Sequence, residues 1–198
     1  MINTPRVAAI VCAYNERPRI ENVLRALLSA ESITEVIVVD DGSSDGTDDF
    51  VSKEFPRVRL LRNERNLGKA GSMARGVATT NAPIIFFCDA DLQGFTALHA
   101  ERTIAPVLSG ECDMSIGVRN NPAQKIFIPF ALNSGERALP RTSWEELPQF
   151  YKKGFRIEVG LNAFVRRYGT RGIRYEIFSY RQTLKEHKYG FWKGEWQR

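Results

Sequence analysis

Apolar residues in this chain fall into short unbroken runs, and the stretches between them carry helical spacing. "VAAIVCAY" (7–14), "EVIVVDD" (35–41), "VRLLRN" (58–63), "PIIFFCDAD" (83–91) and "DMSIGVR" (113–119) read as strands. They are continuous rather than alternating, which is how strands covered on both faces read. In "RPRIENVLRALLSA", Ile20, Val23, Leu24, Leu27 and Leu28 recur at i, i+3, i+4, i+7 and i+8, one face of a helix. Further helices are predicted over 47–55, over the small-residue stretch "GKAGSMARGVATT" and over "TALHAERTIAPVLS", the last interrupted near Pro106. Strand and helix alternate, so the expected class is α/β, a Rossmann-like, mostly parallel sheet flanked by helices.

From Asn120 the pattern loosens. Residues 120–150 read as loop with short elements, followed by a helix over 156–168, a strand over 172–179 and a basic amphipathic helix over 180–189. No repeat or linker interrupts the chain, so residues 1–198 are taken as one domain: 1–119 as a regular half and 120–198 as an irregular C-terminal part. Polar residues gather where strands end: "YNE", "DDGSSDG", "DADLQ" and "GVRNN". Ligands of doubly wound sheets sit at the carboxyl ends of strands, so these four clusters are expected to share one crevice.

Composition narrows the partners. The chain has 198 residues, is 43% hydrophobic and 26% charged, and is globular on those figures. Its net charge of +5 suits an anionic substrate or membrane surface and does not call for nucleic acid. Cys12, Cys88 and Cys112 form no C-x-x-C pair, and the first two sit in apolar runs, as free thiols of a reducing compartment do. The N-terminus reads as a strand rather than a signal peptide. No apolar run approaches ~20 residues. The expectation is a cytoplasmic protein, with peripheral contact at the inner membrane face and homo-oligomerisation left open.

Several chemistries fail on spacing. An EF-hand loop begun at Asp41 places Ser52 where a bidentate Glu is required. Read as a Walker A loop, "NLGKAGS" would need Gly at position 63 and Ser or Thr at position 70, where the chain has Asn63 and Ala70. No G-x-G-x-x-G follows the first strand, and His99 and His187 alone make a zinc site a poor reading. "SSDGTDD" is suited to capping the next helix through Ser44, Asp45 or Thr47. In "FFCDADLQG", Asp89 and Asp91 share one side of an extended chain, and Gln93 continues it. Two carboxylates so placed suit a hard divalent cation that also binds substrate phosphates; the bland reading is a capping pair in a turn.

"VCAYNE", "VIVVDDGSSDGT", "NLGKAGSMARG" and "DADLQ" occur in the order and at about the separations of the family 2 inverting glycosyltransferases, which have the GT-A fold. The chain resembles in particular the polyprenyl-phosphate sugar transferases, the group that includes dolichyl-phosphate mannose synthase. The likeness is dense over 7–119 and patchy beyond, where "NSGERALPR", "GFRIEVGLNAFVRRYG" and "HKYGFWKG" resemble later elements of that group. It implies a UDP- or GDP-linked sugar donor bordered by Ala13, Tyr14, Asn15 and Glu16, by Asp40 or Asp41, by Gly68 and Lys69, and by Asp89 and Ala90. It also implies Mg²⁺ or Mn²⁺ on Asp89, Asp91 and Gln93, with Asp91 catalytic. Arg119, Ser134, Arg137, His187 and Lys193 would face phosphates or the acceptor.

The acceptor side departs from that group. Ala131 stands where an Asp is usual, His187 where an Arg is usual and Trp192 where a Ser is usual, and the stretch from Arg119 to Ser134 is short. Glu158 shares a helical face with Leu161 and Val165, either as a base aimed at the crevice or as an anchor near a helix N-terminus. A polyprenyl phosphate is the acceptor the resemblance implies. Transfer to a soluble hydroxyl, a nucleotidyltransferase and a binding-only relative are the alternatives. The last helix, with Tyr180, Leu184 and Phe191 among basic residues and Trp192 and Trp196 beyond, suits a membrane interface and a solvated helix equally.

Overall fold

The computed structural model describes residues 6–119, 134–153, 156–178 and 181–182. Its elements are β1 (Val7–Ala13), α1 (Ile20–Leu28), β2 (Ile33–Asp40), α2 (Thr47–Glu54), β3 (Arg59–Arg62), α3 (Gly68–Ala78), β4 (Ile84–Asp89), β5 (Leu92–Gln93) and α4 (Ala97–Leu108). There follow β6 (Met114–Arg119), β7 (Arg137–Pro140), α5 (Arg141–Glu146), α6 (Arg156–Tyr168), β8 (Ile173–Phe178) and β9 (Arg181–Gln182). Seven strands form one sheet in the order β3-β2-β1-β4-β7-β6-β8. Every neighbouring pair is parallel except those made by β7, which runs antiparallel to β4 and β6.

The unbroken apolar runs are explained by two cores. Val7, Ala9, Val11, Val36, Val38, Ile84 and Phe86 pack on one face with α1 and α4. Ala8, Ile10, Ile37, Val39, Ile85 and Phe87 pack on the other with α3, α5 and α6. Strand side chains alternate between faces, and here both faces are dry. The small residues of α3 let it lie close to the sheet: a Cβ on Gly76 would stand 2.6 Å from Ile10 Cγ2.

The short elements expected within 120–150 include β7, a strand inside the sheet, and α5, whose Trp144 packs on Phe87 with ring centroids 5.2 Å apart. The structure departs from the sequence reading in three places. α4 runs through Pro106 to Leu108 without interruption; a proline so close to the C-terminus disturbs little of the remaining ladder. Of the helix expected over 180–189, Arg181 and Gln182 instead form β9, antiparallel to β5; Tyr180 and residues 183–189 lie outside the described set. The "DADLQ" stretch is not extended throughout, because Ala90 and Asp91 make a turn between β4 and β5.

Candidate active site

The carboxyl ends of β1, β2, β4, β6 and β8 lie on one edge of the sheet, and antiparallel β7 starts there. Four of the six parallel strands, β1, β2, β4 and β6, carry the polar clusters noted in the sequence.

The ends of β1 and β2 are clamped together. The Asp41 N–H donates to the Ala13 carbonyl at 2.8 Å. Asn15 N–H donates to Ser43 Oγ at 2.9 Å, and Ser44 N–H returns a bond to Asn15 Oδ1 at 2.9 Å. Glu16 N–H donates to Thr47 Oγ1 at 3.0 Å and Arg17 N–H to Asp45 Oδ2 at 3.1 Å. Asn15 sits at φ 55°, a left-handed conformation that asparagine tolerates better than most residues. Asp45 Oδ1 accepts the Thr47 N–H at 3.0 Å, so of the candidate caps it is Asp45 that serves the start of α2. Most of the acidic loop is thus turn and clamp. Glu16 is buried and ion-paired to Arg19.

The two adjacent aspartates divide their work. Asp41 accepts the Asn63 side-chain amide at 2.7 Å, the Leu67 N–H at 2.8 Å and the Gly68 N–H at 2.9 Å. It therefore caps α3, where its charge meets the positive end of the helix. Asp40 is fully buried; its Oδ2 accepts the Ser43 N–H at 3.1 Å, and its Oδ1 has no hydrogen-bond partner among the described residues. Replacing Asp41 by alanine should cost about 2 kcal/mol, the scale of hydrogen bonds to a charged acceptor. A urea titration checks it; an unchanged midpoint would mean that the 63–68 loop holds itself.

One ammonium links the centre of the site. Lys69 Nζ lies 2.7 Å from Asp89 Oδ1 and 2.8 Å from Glu158 Oε1. Burial opposes the lysine's charge, but Asp89 and then Glu158 outweigh it, and its pKa is raised. Glu158, Leu161 and Val165 are all buried on α6, as their spacing requires. Gly135 packs directly on Asp89, where a Cβ would stand 2.3 Å from Oδ1 and 2.4 Å from Oδ2. Asp91 is buried, and Gln93 is exposed on β5. Ala13 and Ala90 are buried, whereas Tyr14 is 41% exposed.

Arg137 is fully buried, and its guanidinium donates to the carbonyls of Ser134 and Glu158 and to Asn162 Oδ1. Burial lowers its pKa, against the pull of Glu158, Asp89, Glu136 and Tyr175. Ser134 is buried and donates to Glu136. Arg119 ends β6 on the site edge. His187 and Lys193 lie outside the described residues. Burial pushes the Cys12 thiol up to about 12, with Lys69 pulling the other way, so it stays protonated and is no nucleophile near neutral pH. Sequence reasoning missed Gly135, Asn63 and Asn162, which carry no local signal beyond their residue type.

The donor set fits a hard cation. Asp89 and Asp91 would supply carboxylate oxygens; no group of three or more His, Cys, Asp or Glu side chains gathers into a metal cage among the described residues. Mg²⁺ and Mn²⁺ are held in that way, by one or two carboxylates, waters and substrate phosphates.

The family model for glycosyl transferase family 2 matches residues 8–180. The chain belongs to glycosyl transferase family 2. Among curated relatives, it is similar to the dodecaprenyl-phosphate galacturonate synthase of Rhizobium johnstonii, 27% identical over 135 residues, 64% of this chain and 40% of that one. It is also similar to a dolichyl-phosphate beta-glucosyltransferase of Trichomonas vaginalis, 35% identical over 94 residues, 41% of this chain and 28% of that one. The chain therefore spans less than half the length of these two relatives. Among solved structures it resembles the glucosyl-3-phosphoglycerate synthase of Mycobacterium tuberculosis in complex with Mn²⁺, UDP-glucose and phosphoglyceric acid. That match has a TM-score of 0.77 at 23% identity and covers 90% of this chain and 72% of that one. The family's fold is the one expected, a mostly parallel α/β sheet of GT-A type. No helix among the described residues is long and apolar enough to cross a membrane.

Proposed function

We propose that this family 2 chain is a metal-dependent inverting glycosyltransferase that moves a hexose from a UDP- or GDP-linked sugar to a polyprenyl phosphate at the inner membrane face. The observation that carries the reading is the convergence, on one sheet edge, of a buried Asp40 with an orphaned oxygen and of Lys69 bound to Asp89. Asp40 Oδ1 accepts a ring N–H of the base, and Tyr14 offers an exposed ring to its face. Asp41 does not touch the nucleoside in this reading; it holds the loop that presents Gly68 and Lys69. Lys69 neutralises the diphosphate. Asp89 and Asp91, with Gln93, would hold Mg²⁺ or Mn²⁺, which supplies charge neutralisation of the leaving diphosphate without proton transfer.

The ion pair between Glu158 and Lys69 favours an acceptor that is already ionised. A phosphate oxygen attacks the anomeric carbon from the face opposite the leaving diphosphate and needs no base. Glu158 is then a partner of Lys69 rather than a proton acceptor, and Arg137 is a framework residue.

With nucleotide at a hundredfold excess over Kd, UDP or GDP plus Mn²⁺ should stabilise the protein by about 2.7 kcal/mol, read as a rise in Tm. Asp91→Ala should remove the metal-dependent part. No rise with either nucleotide overturns the donor assignment. Labelled sugar nucleotide offered with polyprenyl phosphate, and separately with soluble acceptors, tests the second half. Label found only in a water-soluble product replaces the lipid with a hydroxyl acceptor.

A further inference from the structure

Lys69 occupies the aspartate that the metal would need. Its ammonium lies 2.7 Å from Asp89 Oδ1. Gly135 packs directly on the same carboxylate, so Asp89 has little room to turn away. A divalent ion binds such an oxygen at about 2.0–2.1 Å. Two cations on one carboxylate oxygen repel strongly where water is scarce. The second partner of the lysine, Glu158, sits on α6 and is not among the aspartates of the "DADLQ" turn.

We infer that Lys69 is a place-holding cation: it fills the metal aspartate in the donor-free protein and passes to the donor diphosphate when metal and nucleotide enter together. Glu158 is the positioning residue that keeps the ammonium tethered after it leaves Asp89. This rests on the function proposed above. Bare metal must expel a lysine and binds weakly. Metal accompanied by a diphosphate gives the lysine a new anion and binds well. Metal and donor are thereby coupled, and the coupling is reciprocal.

The test is Mn²⁺ affinity without nucleotide, measured by electron paramagnetic resonance of the free ion. Lys69→Met should bind bare Mn²⁺ at least tenfold more tightly than the unaltered protein, and UDP or GDP in metal-free buffer at least tenfold more weakly. Glu158→Gln should move bare Mn²⁺ affinity the opposite way, because the displaced ammonium then lacks a counter-ion. Damage to the fold would weaken both variants alike, so the opposed signs identify the device. Lys69→Gln repeats the measurement if Lys69→Met does not fold. Bare Mn²⁺ affinity unchanged or weaker in the lysine variants overturns the inference. Failure of the unaltered protein to bind Mn²⁺ even with nucleotide overturns the donor reading instead.

Discussion

Gly135→Ala will remove most of the activity while changing a single methyl group. The new Cβ would stand 2.3 to 2.4 Å from the carboxylate atoms of Asp89, closer than real contacts allow. Asp89 cannot yield freely, because Lys69 holds its Oδ1 and the strand below it is paired on both sides. Either the carboxylate rotates out of place or the start of β7 moves. A displacement of about 1 Å at a reacting centre costs on the order of 10²-fold in rate. The expected result is a fall of that size in kcat/KM for the sugar nucleotide, with the Mn²⁺-dependent part of the thermal shift lost as well. Activity within threefold of the unaltered enzyme would show that Asp89 tolerates the move and is not the metal's fixed point.

Arg137→Met will cost the fold about 3–5 kcal/mol, the range for breaking a buried charge network by removing one partner. The side chain is wholly buried and its charge is set against Glu158, Asp89 and Glu136. Without it, Asp89 on β4, Glu136 just before β7 and Glu158 on α6 lose a nearby positive charge, and the carbonyls of Ser134 and Glu158 lose their donor. Whole domains are stable by only about 5–15 kcal/mol, so the loss is a large share. Urea unfolding followed by circular dichroism measures it. A midpoint shift worth less than about 1 kcal/mol would count against a structural Arg137 and return it to the acceptor side.

These two residues also mark where the sequence stops being legible. Strands β1, β2, β4 and β6 declare themselves because both faces of the sheet are apolar. β7 lies between two of them, yet "GERALP" reads only as part of a loop with short elements, with nothing to mark it as a strand of the main sheet. Glu136 and Arg137 are buried there by pairing rather than by hydrophobicity, and no hydropathy pattern reports pairing. The same holds for Asp40 and Asp41, identical neighbours of which one caps a helix and the other has an oxygen with no partner among the described residues. Motif order was enough to locate Asp89 and Lys69, but not their contact with Glu158, which comes from a distant helix. Spacing did predict the face that Glu158 occupies on α6, since a helix imposes that face whatever it packs against.

The reversed direction of β7 has one further effect. β6 ends and β7 begins on the same edge, with Ile116 paired to Arg137 and the Gly117 N–H bonded to the Glu136 carbonyl. The segment between them therefore leaves and re-enters the sheet at nearly one place. Lengthening such a segment adds only loop-closure entropy, about 0.6 kcal/mol for each doubling. Insertions or grafts from relatives between Arg119 and Ser134 can thus be accommodated with the two flanking strands, and the carboxylates beside them, kept in register. This gives a protein designer a cassette position: β6 and β7 are held constant while the segment between them is exchanged.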